Sequence, residues 1–333
     1  MSPGLPLLAL MWLCGALSTP ARAYETDQIT DRLVELQDSG IVADDEVDRI
    51  LAAALEQTNR QTGCHSSVKE TRRLLAESIY DIASFPTYVH GRGELAGLGY
   101  GAYAAWLETD ARVDRRPFVK FGDIYDLLRP TDSLVLGTVG VCSTIHLAGI
   151  LMGTDKPDHF WSQGYEYFLA SRRGRADERA MRWGTLSERG QYGLATSGVF
   201  SYADLAANWE GYQFYKALLT EDSPLELGED GCVVQTRPFR WVDWITDAVD
   251  EAVNPPNYGK VVRAAVQERL LSERDNVCQA YTTWGPEVMR RRAQVVAEQA
   301  SQLVPTTPPR LDEWQLDSLC KGYESTNTVS RTR

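Results

Sequence analysis

Asp155-Lys156-Pro157-Asp158-His159-Phe160-Trp161-Ser162-Gln163-Gly164-Tyr165-Glu166-Tyr167-Phe168 carries two patterns at once. On an ideal helix of 3.6 residues per turn, Asp155, His159, Gln163 and Glu166 fall along one narrow stripe. Phe160, Trp161, Gly164 and Phe168 occupy another side of the same helix. Further along, the stretch from Ser201 to Tyr215 repeats the arrangement, with Asp204, Asn208, Gly211 and Tyr215 on one face. Two helices with polar stripes and aromatic backs predict a polar site built between helices. They also set the expected fold class: all-α, a multi-helix bundle around helices over 133–170 and 201–218.

The chain on either side of this stretch has the same helical period. Ile29, Leu33 and Leu36 predict a helix over 27–38, and Val47, Ile50, Leu51, Ala54 and Leu55 predict the next. Ser67 followed by Glu70 is a capping-box signal for a helix carrying Leu74, Leu75, Ile79 and Ile82, which Pro86 ends. The glycines from Gly91 to Gly101 lack the Gly-Lys-Ser/Thr of a phosphate loop, so they are expected to let a helix be crossed closely. The apolar run 133–152 is close to the ~20 residues of a membrane span. Ser133, Thr138, Ser143, Thr144 and His146 make it polar for that role, and it is expected to be a buried central helix, with His146 a core histidine. A single span there is the alternative.

On the C-terminal side, 225–237 is expected to be a loop. Trp241, Trp244, Ile245 and Val249 predict a helix whose Asp243, Asp247 and Asp250 form a solvated acidic face. Two long helices follow, from Tyr258 to Tyr281 and from Pro286 to Leu303. The expected organisation is a signal peptide over 1–23, a helical domain over 24–303 with a possible sub-division near residue 90, and a linker and tail over 304–333. The signal peptide is argued from the apolar core Leu5–Leu17 and the small residues of Ala21-Arg22-Ala23, which place the cut before Tyr24. Export places the chain in a secreted or periplasmic setting, where disulfides persist. Beyond the leader lie Cys64, Cys142, Cys232, Cys278 and Cys320. Cys142, inside the apolar run, is expected to be a buried free thiol, and the other four to form two bridges of undetermined connectivity. The net charge of −12 argues against nucleic acid or an anionic membrane as partner.

Helix capping accounts for part of the central stretch. Thr154 or Asp155 is placed to cap one helix, and Ser201 with Asp204 fits a capping box on the other. Capping does not explain why a histidine follows one acid by four residues, why an asparagine follows the other by four, or why Glu188 and Gln191 lie between them. Buried without partners, such groups cost several kcal/mol each, so they must meet one another, water, an ion or a substrate.

The order Asp155-Lys156 with His159-Phe160, then Glu188 with Gln191, then Asp204, Asn208 and Gly211 resembles the pattern of VanZ-like proteins. The resemblance covers 155–211 only. VanZ-like proteins are multi-span membrane proteins, whereas this chain has the look of a secreted, mostly non-membrane form. The resemblance implies a bacterial envelope setting and a helical site, and no particular reaction.

Two functions are consistent with these residues. The first is an exported cell-envelope protein without catalytic activity, whose central site binds a small envelope ligand or supports a protein partner through Lys156, Gln163, Gln191, Asp204 and Asn208. Membrane association is compatible with it and not required. The second is a hydrolase, with His159 as general base, Asp155 or Glu188 orienting it and Asn208 polarising the substrate. In a metal-assisted variant, His159 and carboxylates from Asp155, Glu188 or Asp204 suit a harder ion better than zinc. The sequence carries no Gly-x-Ser-x-Gly, His-Glu-x-x-His, Walker or Cys-x-x-Cys signature, and it identifies no cofactor.

Overall fold

The computed structural model describes residues 25–30, 32–89, 98–117, 122–133, 136, 141–171, 176–190, 193–303 and 316–323. The expected signal peptide, most of the glycine run, Gln191, the 304–315 linker and the chain end lie outside them. The fold is a helical multi-helix assembly with small two- and three-stranded additions, among them the pairs β1 (Pro86–Val89) with β2 (Leu98–Gly101) and β6 (Val199–Phe200) with β9 (Asn257–Tyr258). The helices are α1 (Gly40–Thr62), α2 (Val68–Ala83), α3 (Ala102–Thr109), α4 (Asp155–Ser171), α5 (Ala176–Arg189), α6 (Tyr202–Ala217), α7 (Lys260–Ser272), α8 (Arg274–Trp284), α9 (Pro286–Leu303) and α10 (Leu316–Leu319).

The crossing of α4 and α6 is the centre of the molecule. Gly164 of α4 lies against Gly211 of α6: a Cβ on Gly164 would stand 2.8 Å from the Gly211 Cα, and one on Gly211 would stand 2.0 Å from the Phe160 carbonyl oxygen. Side chains at either position would force the backbones apart, so these two glycines set how closely the polar stripes approach. The aromatic backs then meet Phe239 and Trp241. Phe160 packs edge-on to Trp161 at 4.8 Å and to Trp241 at 4.9 Å, and Trp161 packs edge-on to Phe214 at 5.3 Å. Burying each such ring contributes roughly 2–3 kcal/mol. The Trp241 indole N–H donates to the Tyr103 hydroxyl at 2.8 Å, which donates to the Ala43 carbonyl at 3.2 Å and ties α1 and α3 to this cluster.

Local signals hold where the hydrogen bonds they need are local. The Ser67 hydroxyl caps α2 through the Glu70 N–H, and Gly63, with φ 56°, ends α1 in the left-handed conformation. They fail where backbone groups are claimed from a distance. Among the described residues of 27–38 no helix forms, because the Asp27 carboxylate takes the N–H groups of Ile29 and Thr30, and also that of Ile124. The expected helix after Trp241 is reduced to two 3₁₀ turns, Trp241–Asp243 and Asp247–Val249. There the Trp241 N–H donates to Asp44 and the Thr246 N–H to Glu210. The predicted 258–281 helix breaks at Glu273 into α7 and α8.

The run 133–152 is not a central helix in its described part. Strands β4 (Thr144–Leu147) and β5 (Ile150–Gly153) form a hairpin, with β3 (Arg115–Arg116) alongside β4. Ala148 and Gly149 both have positive φ, the backbone of a tight hairpin turn. His146 is half-buried on β4, where its carbonyl accepts from the Ser39 N–H, so it is neither a full core residue nor part of the central site. Among the described residues no helix is long and apolar enough to cross a membrane. Likewise 225–237 is a hairpin, β7 (Leu225–Leu227) with β8 (Val233–Gln235), rather than a plain loop.

Two disulfides form, Cys64–Cys232 and Cys278–Cys320, and the buried Cys142 belongs to neither. The first pins the α1–α2 connection to the β7–β8 hairpin, and the second pins α10 to α8. They close loops of 168 and 42 residues, each restricting the unfolded chain by roughly 4–5 kcal/mol in the loop-entropy account.

Candidate functional site: a buried carboxylate-rich centre on Lys156

Lys156 stands at the first turn of α4 and is 1% exposed. Its ammonium donates to three carboxylates: Asp155 at 2.7 Å, Asp204 at 2.6 Å and Glu251 at 2.7 Å. Asp204 divides its oxygens. Oδ1 accepts from Lys156, and Oδ2 lies 3.3 Å from His159 Nε2. Its backbone N–H meanwhile donates to the Ser201 hydroxyl at 3.1 Å. The Ser201 cap is therefore present, and the Asp204 carboxylate that follows it is also engaged by Lys156 and His159.

Asn208, one turn along α6, orients the histidine. Its NH₂ group donates to Gln163 Oε1 at 2.9 Å and reaches the Tyr167 hydroxyl at 3.5 Å. That directs the amide oxygen at His159 Nδ1, 3.0 Å away. An amide oxygen only accepts, so Nδ1 carries the hydrogen and Nε2 faces Asp204. Gln163, Asn208, His159 and Asp204 thus form one chain of contacts across the α4–α6 crossing, as their shared stripes predict. Glu166, the outer end of the stripe, stays at the margin and accepts from the Trp183 indole.

Two acids come from other parts of the fold. Glu25 is brought in by the N-terminal segment, whose backbone runs beside Cys142; the Cys142 N–H donates to the Glu25 carbonyl at 2.9 Å. The Glu25 carboxylate accepts from the Ser197 hydroxyl at 2.6 Å. Glu188, at the end of α5, accepts weakly from the Ser201 N–H at 3.4 Å. Gly153 makes room at the edge of the centre: a Cβ there would stand 2.2 Å from Asp155 Oδ1 and 2.6 Å from the Thr26 hydroxyl oxygen. Asp155 opens α4, and the Thr154 hydroxyl just before it donates to Glu108.

Five buried carboxyl groups surround one lysine and one histidine, so charge decides the chemistry. Burial pulls the Lys156 ammonium down, but Asp155, Asp204 and Glu251 outweigh it and hold it well above the usual lysine range. Burial pushes Asp204 up, but His159 and Lys156 overcome this and keep it below the usual carboxylate range. The remaining acids move the other way. Burial, with Asp204 and a further acid nearby, raises Glu25 and Glu188 well above the ordinary value. Burial raises Asp155 against the pull of Lys156, and pushes Glu251 up to about 8. The centre therefore holds more acid than its cations neutralise, and protons make up the difference. Three carboxylate oxygens of this centre are buried without a hydrogen-bond partner: Glu25 Oε2, Asp155 Oδ1 and Glu188 Oε1. Asp155, His159 and Asp204 each bring a donor atom within 4.8 Å of the others, a spacing that fits a metal ion.

Of the residues expected from the sequence, Asp155, Lys156, His159, Gln163, Glu188, Asp204 and Asn208 are gathered here. Gln191 lies outside the described residues. Glu25, Ser201 as a hydroxyl donor to Glu251, and Glu251 itself were not anticipated as site residues. Asp250, expected on a solvated acidic face, is fully buried. No family model, curated protein or solved structure matches this chain.

Proposed function

We propose that this chain is an exported bacterial cell-envelope protein that acts by binding, with the Lys156 centre holding a small polar ligand. Its sealing supports this reading most directly. Lys156, His159, Asp204 and Asn208 are each under 5% exposed, so a polymeric substrate would reach them only by parting α4 from α6. The two disulfides are compatible with an oxidising compartment, and the resemblance to VanZ-like proteins over 155–211 points to the envelope. Hydrolysis is less well supported. A general base must reach its substrate, whereas His159 is buried, with Nε2 turned inward to Asp204 and Nδ1 held by Asn208. The Ser201 hydroxyl donates to Glu251 and not to His159.

Mass spectrometry of the protein recovered from a bacterial producer tests export and binding together. The denatured mass is expected to correspond to a chain beginning at Tyr24 with two disulfides. The native mass is expected to exceed it by one non-covalent ligand, which is lost in Asn208→Leu. A chain beginning at Met1 would end the export reading. Equal native and denatured masses for the wild type would end the binding reading.

A further inference from the structure

Resting on that binding reading, we infer that the ligand is a divalent first-row metal ion, held by Asp155, His159 and Asp204 at the N-terminal ends of α4 and α6. Three independent features of the geometry converge on it. First, the donor atoms are already grouped: all lie within 4.8 Å of one another, and His159 Nε2 and Asp204 Oδ2 are 3.3 Å apart. An ion about 2.1 Å from both atoms would subtend roughly 100° across that edge, between the tetrahedral and octahedral values.

Second, the histidine is prepared as a ligand. The Asn208 oxygen fixes the hydrogen on Nδ1, and Asn208 is itself fixed by Gln163 and Tyr167. Metal-bound histidines are oriented in this way, the outer ring nitrogen donating to an acceptor while the inner one is presented to the ion. Without a cation or a proton between them, the Nε2 lone pair and the Asp204 carboxylate would repel each other.

Third, the surroundings hold unused acceptors. Asp155 Oδ1 and Glu188 Oε1 are buried with no hydrogen-bond partner. Glu188 is turned toward the centre, since Asp204, Glu25 and Lys156 are the charges that act on it and its other oxygen sits at the Ser201 N–H. Lys156 does not fill this role. It lies against Asp204 Oδ1 and one oxygen of Asp155, which leaves Asp204 Oδ2 on the histidine side. One imidazole with two carboxylates selects an ion that tolerates oxygen donors, for which Mn²⁺ is the probe.

The test is titration of the full-length, chelator-stripped protein with Mn²⁺, following loss of the free-ion electron paramagnetic resonance signal. One equivalent is expected to bind. His159→Gln is expected to weaken binding more than 100-fold, and Asn208→Leu by 10–100-fold through loss of histidine orientation. Asp114→Asn, which alters an acid outside the centre, is expected to leave binding unchanged. Should His159→Gln unfold, Asn208→Leu carries the comparison, provided that its thermal unfolding remains cooperative. Absence of stoichiometric Mn²⁺ binding by the wild type would overturn the inference, as would equal affinity in the wild type and both centre variants. In either case, a native-mass adduct heavier than a metal ion would keep the binding reading while the metal fails. No adduct of any kind would remove both.

Discussion

Asp250 and Glu251 are consecutive in the chain, yet they belong to centres of opposite kind. Asp250 is fully buried and meets Arg32 through both oxygens, one of them at 3.1 Å, with the Arg292 guanidinium 3.3 Å away. Arg292 also pairs with Asp247 at 2.7 Å, and the Arg32 guanidinium lies 4.3 Å from the centre of the Trp284 ring. Two cations there meet two carboxylates, and the group holds the N-terminal segment and α9 against the 3₁₀ turns. Glu251 points the other way, into the centre where five carboxyl groups share Lys156 and His159. The balanced cluster is what a structural ion pair looks like, with each charge compensated by fixed protein groups. The acid-rich one can be neutral only with protons or another cation. That imbalance, and not the presence of buried charge, marks the candidate site.

The largest expected effect tests the imbalance itself. Lys156→Met removes the one permanent cation from three carboxylates and is expected to cost about 3–5 kcal/mol in urea denaturation at pH 8. Arg32→Met leaves Asp250 with Arg292 and is expected to cost less. A larger loss for Arg32→Met would reverse the contrast drawn here.

Next in size is the pH dependence. Glu251 titrates near 8 in the folded protein against an ordinary value of 4.5. Between those values the folded chain keeps a proton that the unfolded chain has released. Stability from this group is therefore greatest at low pH and falls as pH rises through the window, on the order of 1 kcal/mol per pH unit. Glu251→Gln fixes the neutral form, so its stability relative to the wild type should climb between pH 5 and pH 8. Glu210 is also raised to about 8 by burial, with only Thr246 hydrogen bonds opposing, and Glu210→Gln should show the same sign without a lysine nearby. A difference from the wild type that does not change with pH would remove Glu251 from the acid-rich centre's titration.

The smallest effect concerns the internal wiring of the centre. His159→Ala combined with Asp204→Asn is expected to depart from additivity by roughly 0.5 kcal/mol or more in a double-mutant cycle. The 3.3 Å contact between His159 and Asp204 makes them direct partners. Additive losses would reduce Asp204 to its helix-capping role and its bond to Lys156.

Sequence and structure agree most closely where a pattern is closed within one element. The stripe from Asp155 through His159 to Gln163, and that from Asp204 to Asn208, follow from helical period alone, and so do the aromatic backs and the Ser67 and Ser201 caps. The buried thiol of Cys142 was legible from its apolar neighbours. These features depend on groups a few residues apart, and the backbone geometry that joins them is the same in any helix.

Other features belong to the tertiary structure. Lys156 and Glu251 are 95 residues apart, and Glu25 and Ser197 are 172 apart. Asp250 and Asp243 share a predicted acidic face, but one is buried on Arg32 and the other is exposed. The hairpin over 144–153 replaced an expected helix through the paired backbone of β4 and β5 and the left-handed turn at Ala148–Gly149. By itself, then, the sequence determined two amphipathic helices and the polar groups each would present, because side-chain spacing along a helix is a local property. Only the fold decided that those groups would meet three further acids and a shortage of positive charge, because burial and electrostatic compensation depend on everything packed around a group, however distant in the chain.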